Sequence, residues 1–318
     1  MSASVSVIIP CFNQARFLAD AINSALVSTG VTLEIIVIDD GSTDETSAVA
    51  QSFFGKIVYL HQENAGLSAA RNSGLRLATG KYCHFLDSDD WVIPGFYSDL
   101  VETLESRPEI GLAYSSVRVV NEVGQTTREN IAKTVDDPAF VTLLRHNVFA
   151  VHAAIVRRDL LEGVGEFDTK LTSAEDWDFW LRLAKRGCKF QPVPHAWVCY
   201  RKHSQSMSHV YYRQRRNLLD VLAKHQVDAE QSPEGQVAIR WGRYIARYTA
   251  FEYSLLPCVV GQIRRGKVWQ ATKDFASAVV DDPTVLRFCL ADYWMAQVYK
   301  WLRERRARKA ATQVDRGG

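Results

Sequence analysis

Leu33-Glu34-Ile35-Ile36-Val37-Ile38-Asp39-Asp40-Gly41-Ser42-Thr43-Asp44-Glu45 is the stretch that decides the fold. Five of its first six residues are apolar and four are β-branched, which predicts a strand buried on both faces. It runs into two carboxylates, a glycine and a cluster of helix N-cap residues, so a tight turn should lead into a helix. The same plan recurs on either side. Val5-Ser6-Val7-Ile8-Ile9-Pro10 is a second apolar strand, followed by Cys11-Phe12-Asn13 and helical spacing up to Val27. Lys56–Leu60 reads as a short third strand, Leu67–Leu77 as a helix, and Lys81–Leu86 as a fourth strand ending in Asp87-Ser88-Asp89-Asp90-Trp91. Strands alternating with helices imply a parallel α/β sheet, whose ligands collect beyond the carboxyl ends of the strands. Both acidic groups and the Pro10–Asn13 segment lie at such ends.

Three carboxylates within four residues repel one another unless a cation sits among them. A hard divalent ion such as Mg²⁺ or Mn²⁺ takes oxygen ligands of this kind, often shared with substrate phosphates. In an extended chain Asp87 and Asp89 would point one way and Asp90 the other. The competing reading is a solvated turn with one Asp capping a helix near Pro94. Asp39 and Asp40 can accept hydrogen bonds from a nucleobase or ribose, or can simply cap a helix. Arg71 and Asn72 fall on a helix rich in small residues; Arg71 suits a phosphate, or a salt bridge to a nearby acid. Glu175 and Asp176 open a helix beside Trp177 and Trp180. Aromatic neighbours raise a carboxylate pKa toward the range of a general base, and the indoles either stack on a sugar or belong to the core. His203, just past a strand, is a candidate for metal or phosphate.

The composition is that of an ordinary globular chain: 318 residues, 47% hydrophobic, 23% charged, net charge +2. The charge is uneven, with 17 basic against 25 acidic residues up to 200 and 21 against 11 beyond it. Six cysteines show no paired spacing, which argues for reduced thiols and against a zinc site. No signal sequence and no apolar run of about 18 residues is seen, so a cytoplasmic location is expected. There is no Walker-type phosphate loop, no nucleophile elbow and no His-Glu-x-x-His, and no nucleic-acid partner is expected. From about residue 210 the pattern turns helical, over 211–224, 237–256, 267–280 and 285–309. The last of these mixes aromatics with a basic run suited to an anionic membrane surface.

Val5–Phe12, Ile35–Asp44, Gly66–Gly74, Phe85–Trp91, Glu175-Asp176 and Arg201-Lys202-His203-Ser204 together resemble the family 2 glycosyltransferases of GT-A fold. Six motifs stand in the family's order over roughly residues 4–208. The resemblance implies an α/β GT-A domain over 1–208, with a mostly parallel sheet and a Rossmann-like nucleotide-binding half, and an α-helical appendage over 209–318. It implies an inverting, metal-dependent transferase that moves a sugar from a nucleotide-diphosphate donor, UDP-sugar favoured, to a saccharide or lipid-linked saccharide of the bacterial cell envelope. By this resemblance Pro10, Cys11, Phe12, Asp39 and Asp40 hold base and ribose. Arg71 lies by the nucleotide or diphosphate, Asp87 (with Ser88) favours the ribose, and Asp89 with His203 serves Mn²⁺ or Mg²⁺. Asp176 is the base, with Glu175 as understudy. Peripheral contact with the inner face of the membrane is expected from the basic C-terminal helix. The family's processive synthases carry a Gln-x-x-Arg-Trp motif that is missing here, which argues against polymer synthesis. A scaffold without turnover, or a nucleotidyltransferase, are the alternatives.

Overall fold

A computed structural model describes residues 4–203, 211–250 and 265–281, together with Val259 and Gln262. The four apolar runs become β1 (Ser4–Cys11), β2 (Thr32–Asp39), β3 (Val58–His61) and β4 (Tyr82–Phe85). They pair in parallel in the order β3-β2-β1-β4. Between them run α1 (Ala15–Leu26), α2 (Thr46–Gln51) and α3 (Leu67–Leu77). Alternate residues of β1 serve opposite faces, as strand geometry requires. Val5, Val7 and Ile9 join Leu18 and Ile22 of α1 and Leu100 of α4 (Phe96–Ser106) in one buried cluster. Ile8 faces the other way, toward α3. A Cβ at Gly74 would stand 2.3 Å from Ile8 Cγ2, so only glycine lets α3 lie this close to the sheet.

Beyond β4 the sheet is no longer all parallel. β5 (Trp91–Val92), β6 (Ile110–Val120), β7 (Thr126–Asn130), β8 (Ala154–Arg157) and β9 (Lys189–Arg201) extend it as β4-β8-β6-β9-β5, with β7 beside β6. Here only β6 and β9 run parallel, and β8 is antiparallel to both its neighbours. The parallel sheet read from the sequence is therefore the first half, and the whole is mixed α/β. Its second half carries α5 (Ala139–Arg145), α6 (Arg158–Val164) and α7 (Glu175–Lys185).

Contacts divide the chain into two compact units, residues 1–207 with 213–245 and residues 208–212 with 246–318. In the first unit, α8 (Tyr211–Lys224), α9 (Gln226–Ala229) and most of α10 (Pro233–Ala250) group with the sheet. Apolar and ionic contacts both hold them: Val221, Leu222, Ala238 and Ile239 are buried, and the buried Asp178 of α7 takes Lys224 Nζ at 2.9 Å and His225 Nε2 at 3.0 Å. Against the opposing effect of burial, the His225 hydrogen bond, then Arg182 of α7 and Lys224, draw the Asp178 carboxyl far below its usual range. The described part of the second unit includes α11 (Val268–Asp281). No described helix is long and apolar enough to cross a membrane. The basic helix expected over 285–309 lies outside the described residues.

Candidate active site

The acidic turns stand at the carboxyl ends of β2 and β4, on either side of β1, where the strand order reverses direction. Asp39 and Asp40 are both buried. Asp39 accepts from Ser42 N (2.9 Å), Tyr59 Oη (2.7 Å) and His61 Nδ1 (3.2 Å). Burial alone would raise its pKa, but these donors outweigh it and hold the carboxyl below its usual value. Asp40 accepts from Gln62 Nε2 (2.7 Å) and from the backbone N–H groups of Ala65 (2.9 Å) and Gly66 (2.8 Å). Both acids thus organise the loops around them. Of Pro10, Cys11 and Phe12, only Phe12 offers an exposed side chain, at 47%. The Cys11 thiol turns inward to Thr46, and burial pushes it up to about 11.

The segment after β4 does not stay extended. Asp90 N donates to Asp87 O at 3.0 Å, closing a turn that brings Asp90 back to the side of Asp87. The expectation that Asp90 points away from Asp87 therefore fails, because alternation holds only for an extended chain. Asp87 takes Arg71 Nη2 at 2.7 Å and lies 3.5 Å from His152 Nδ1. Asp90, fully buried, takes Arg201 N at 2.8 Å and lies 2.9 Å from the same His152 nitrogen. Asp89 turns the third way, to His203 Nε2 at 2.8 Å, and Ser88 is buried in the turn. The charge of Arg71, with His152, overrides burial and holds Asp87 well below the usual carboxylate range. Burial opposes a charged imidazole at His152, yet Asp90 and Asp87 push it up to about 10.

Arg71 is 1% exposed, and its two amino groups end on carboxylates. One meets Asp87 of the turn, the other meets Glu175 at the start of α7. This is the salt-bridge alternative for Arg71, and the guanidinium has no surface left for a phosphate. Three residues of one α3 face, at i, i+3 and i+4, reach the loop that leads to α7. Ser68 Oγ donates to Leu171 O (3.4 Å), Arg71 pairs with Glu175, and Asn72 exchanges two hydrogen bonds with the Phe167 backbone (2.9 and 2.8 Å). Glu175, buried and paired, is not placed as a spare base. Ala174 before it has φ +60°, an uncommon conformation for a residue with a Cβ and one that clusters at functional sites.

Asp176 keeps partial exposure. Its Oδ2 accepts from Asn147 Nδ2 at 3.0 Å and its Oδ1 from Trp177 N at 2.7 Å. Burial and the like charge of Glu175 raise it to about 6, against the lowering effect of Arg71 and these two donors. Trp177 and Trp180 are core residues, 2% and 0% exposed, so neither indole is available to stack on a sugar. Trp177 Nε1 donates to Leu143 O at 2.7 Å, which ties α7 to α5.

Two donor sets can hold a divalent cation. Ligand atoms of Asp87, Asp90 and His152 lie within 4.8 Å of one another. A protonated His152 closes that set on itself, and a neutral one opens it to an ion. Asp89 and His203 form the second set, with the Asp89 side chain 20% exposed and the imidazole buried. Burial and the negative charge of Asp87 raise the Asp89 pKa. A cation there would relieve both, so the residues fit the ion that the sequence motif implies. His152, Asn147 and Arg201 were not singled out by sequence. Arg201 lies in a recognised motif, but its side chain ties the turn to its surroundings through Asp89 O (3.0 Å), Glu122 O (3.1 Å) and Asp20 Oδ2 (2.7 Å). His152 and Asn147 carry no local signal, since each finds its partner at a distant point of the chain.

These geometries define a GT-A glycosyltransferase fold. Residues 6–165 match the model of Glycosyl transferase family 2, and the chain belongs to that family. It is 31% identical over 190 residues to an uncharacterized glycosyltransferase of Rickettsia prowazekii (strain Madrid E), covering 57% of this chain and 59% of that protein. The chain thus spans about three-fifths of the length of that relative. Among solved structures it superposes on S. aureus TarS 1–349 with a TM-score of 0.61 at 18% identity, over 86% of this chain and 82% of that one. It superposes on the mannosyltransferase PcManGT of Pyrobaculum calidifontis, solved with GDP-Man and Mn²⁺, with a TM-score of 0.60 at 19% identity, over 94% and 86%. TarS 1–349 has also been solved in complex with UDP-GlcNAc.

Proposed function

We propose that this protein transfers a sugar, with inversion, from a nucleotide-diphosphate donor to a hydroxyl of a saccharide or lipid-linked saccharide. The observation that carries this reading is the double bridge of Arg71. It joins the acidic turn after β4 to Glu175, the neighbour of Asp176 at the start of α7, which supports reading the two regions as one framework. All the groups concerned lie within residues 1–208, the proposed catalytic domain. Phe12 offers its ring to the nucleobase. Asp39 and Asp40 shape the loops around base and ribose, and Asp87 faces the ribose. Asp89 and His203 hold Mn²⁺ or Mg²⁺, which when bound supplies charge for the departing diphosphate. Asp176 removes the proton of the attacking hydroxyl. Its raised pKa suits a base that must take a proton near neutrality. TarS and PcManGT, the one solved with UDP-GlcNAc and the other with GDP-Man, support a donor of this class, and a UDP-sugar is the first to test.

The test is release of nucleoside diphosphate from UDP-GlcNAc, UDP-glucose and GDP-mannose in Mn²⁺. Wild type should turn over at least one, D89A should lose the metal-dependent reaction, and D176N should lose roughly 10²–10⁴-fold in rate. Because the base works deprotonated, the wild-type rate should climb as pH rises through about 6 and level off above it. A D176N protein as active as wild type would remove Asp176 from this role.

A further inference from the structure

Two arginines, Arg71 and Arg201, contact the turn after β4 directly, and a third, Arg16, reaches it through His203; they are not equivalent. Arg71 is 1% exposed with both amino groups on carboxylates, and the Arg201 side chain, 9% exposed, spends its three nitrogens on Asp89 O, Glu122 O and Asp20. Arg16, in the first turn of α1, keeps 45% of its side chain in solvent. Its Nη1 pairs with Glu122 at 2.7 Å, itself half exposed, and its Nη2 stands 3.4 Å from His203 Nδ1. The other nitrogen of that imidazole touches Asp89 at 2.8 Å. One ring therefore separates the Arg16 guanidinium from the carboxylate proposed to hold the metal. Phe17 fixes the arrangement: its ring lies 4.3 Å from Arg16 Cζ, 4.4 Å from Arg201 Cζ and 5.0 Å from the His203 ring. Cations over an aromatic face are held there by its quadrupole.

We infer that Arg16 is the side chain that contacts the diphosphate of the donor, the task that sequence alone gave to Arg71. This rests on the donor reading above and deepens it. A departing diphosphate needs hydrogen-bond donors as well as a cation, and a guanidinium fork matches phosphate oxygens in pairs. Arg16 combines a side chain 45% exposed, a position just beyond the carboxyl end of β1, and contact with the imidazole that leads to Asp89. Glu122 is a surface partner, and such exposed pairs are weak enough to give way to a doubly charged ligand.

Calorimetric titration of the full chain in Mn²⁺ with UDP, GDP, UMP and GMP decides the matter. Wild type should bind one diphosphate more tightly than its monophosphate. R16A should lose affinity for that diphosphate on the order of tenfold and none for the monophosphate. R16K should recover part of the loss, a point charge without the fork. R76A, which removes an exposed arginine paired with Glu166, should bind as wild type does. Equal diphosphate affinity in R16A and wild type would overturn the assignment, as would equal losses for mono- and diphosphate. A wild type that binds neither diphosphate would overturn both the assignment and the donor reading beneath it.

Discussion

The two acidic turns of this protein are built from the same residue type at equivalent strand ends, yet their carboxylates are satisfied in opposite ways. After β2, Asp39 and Asp40 are met mainly by dipoles: backbone N–H groups, a tyrosine hydroxyl and a glutamine amide. After β4, Asp87, Asp89 and Asp90 are met by side chains that carry or can carry full charge: Arg71, His152 and His203. The first turn spreads many modest interactions over a cradle. The second concentrates a few strong ones, each of which answers to protons, metal or an anionic ligand. A site that must handle a charged leaving group needs the second kind, and a site that shapes a loop needs only the first.

Disrupting the ionic turn should cost most. R71M strips Asp87 and Glu175 of their shared cation, leaving the buried Glu175 without its partner and Asp87 with His152 alone, so about 3–5 kcal/mol of stability should go, read by urea unfolding. Adding E175Q should return part of it, since the orphaned charge is then gone. If R71M were as stable as wild type, the contrast between the turns would have no energetic content.

H152Q probes the same turn through pH and should cost less. The folded pKa of His152 is raised to about 10, above the ordinary imidazole value near 6.5. Its contribution is therefore complete below about pH 6.5 and is lost as pH rises through about 10. The stability gap between wild type and H152Q, followed by thermal melting in EDTA, should be widest near pH 6 and narrow toward pH 10. A gap constant with pH would mean that His152 acts as a neutral group. D40N, in the dipolar turn, should cost least, about 1–3 kcal/mol, as an amide NH₂ replaces an oxygen that accepts from N–H donors. Its cost should be the same at pH 6 and pH 9, and a strong pH dependence would blur the distinction between the turns.

The elements of the first half were legible because each is written locally. β1, β2 and β4 are runs of buried apolar residues, and their acidic or Asn-bearing ends name the face where a site must lie. The second half was less so. β8 and β9 return from far along the chain, and their antiparallel and parallel pairings leave no trace in periodicity. The site divides the same way. That Asp87 and Asp89 stand in a charged turn could be read from residue type and motif. That Arg71 spends both amino groups inside the protein could not, because Glu175 is 104 residues away and only folding brings it near. The alternation argument failed at Asp90 because one backbone hydrogen bond bends the chain there. Trp177 and Trp180, beside an acid pair, look like a sugar platform in sequence, but an α-helix buried on that side turns both into the core.

The grip of α3 on the 165–174 loop has a consequence for how the protein is made. When synthesis has passed β6, both acidic turns already exist, but Arg71 has Asp87 alone, and His203 has not yet been added to reach Asp89. The segment matched by the family model, 6–165, stops at this stage. Expressed alone it would present a nearly finished parallel half whose central arginine lacks one of its two anchors. The ionic framework of the acidic turn should therefore be completed late and all together, once α7 and the end of β9 have docked.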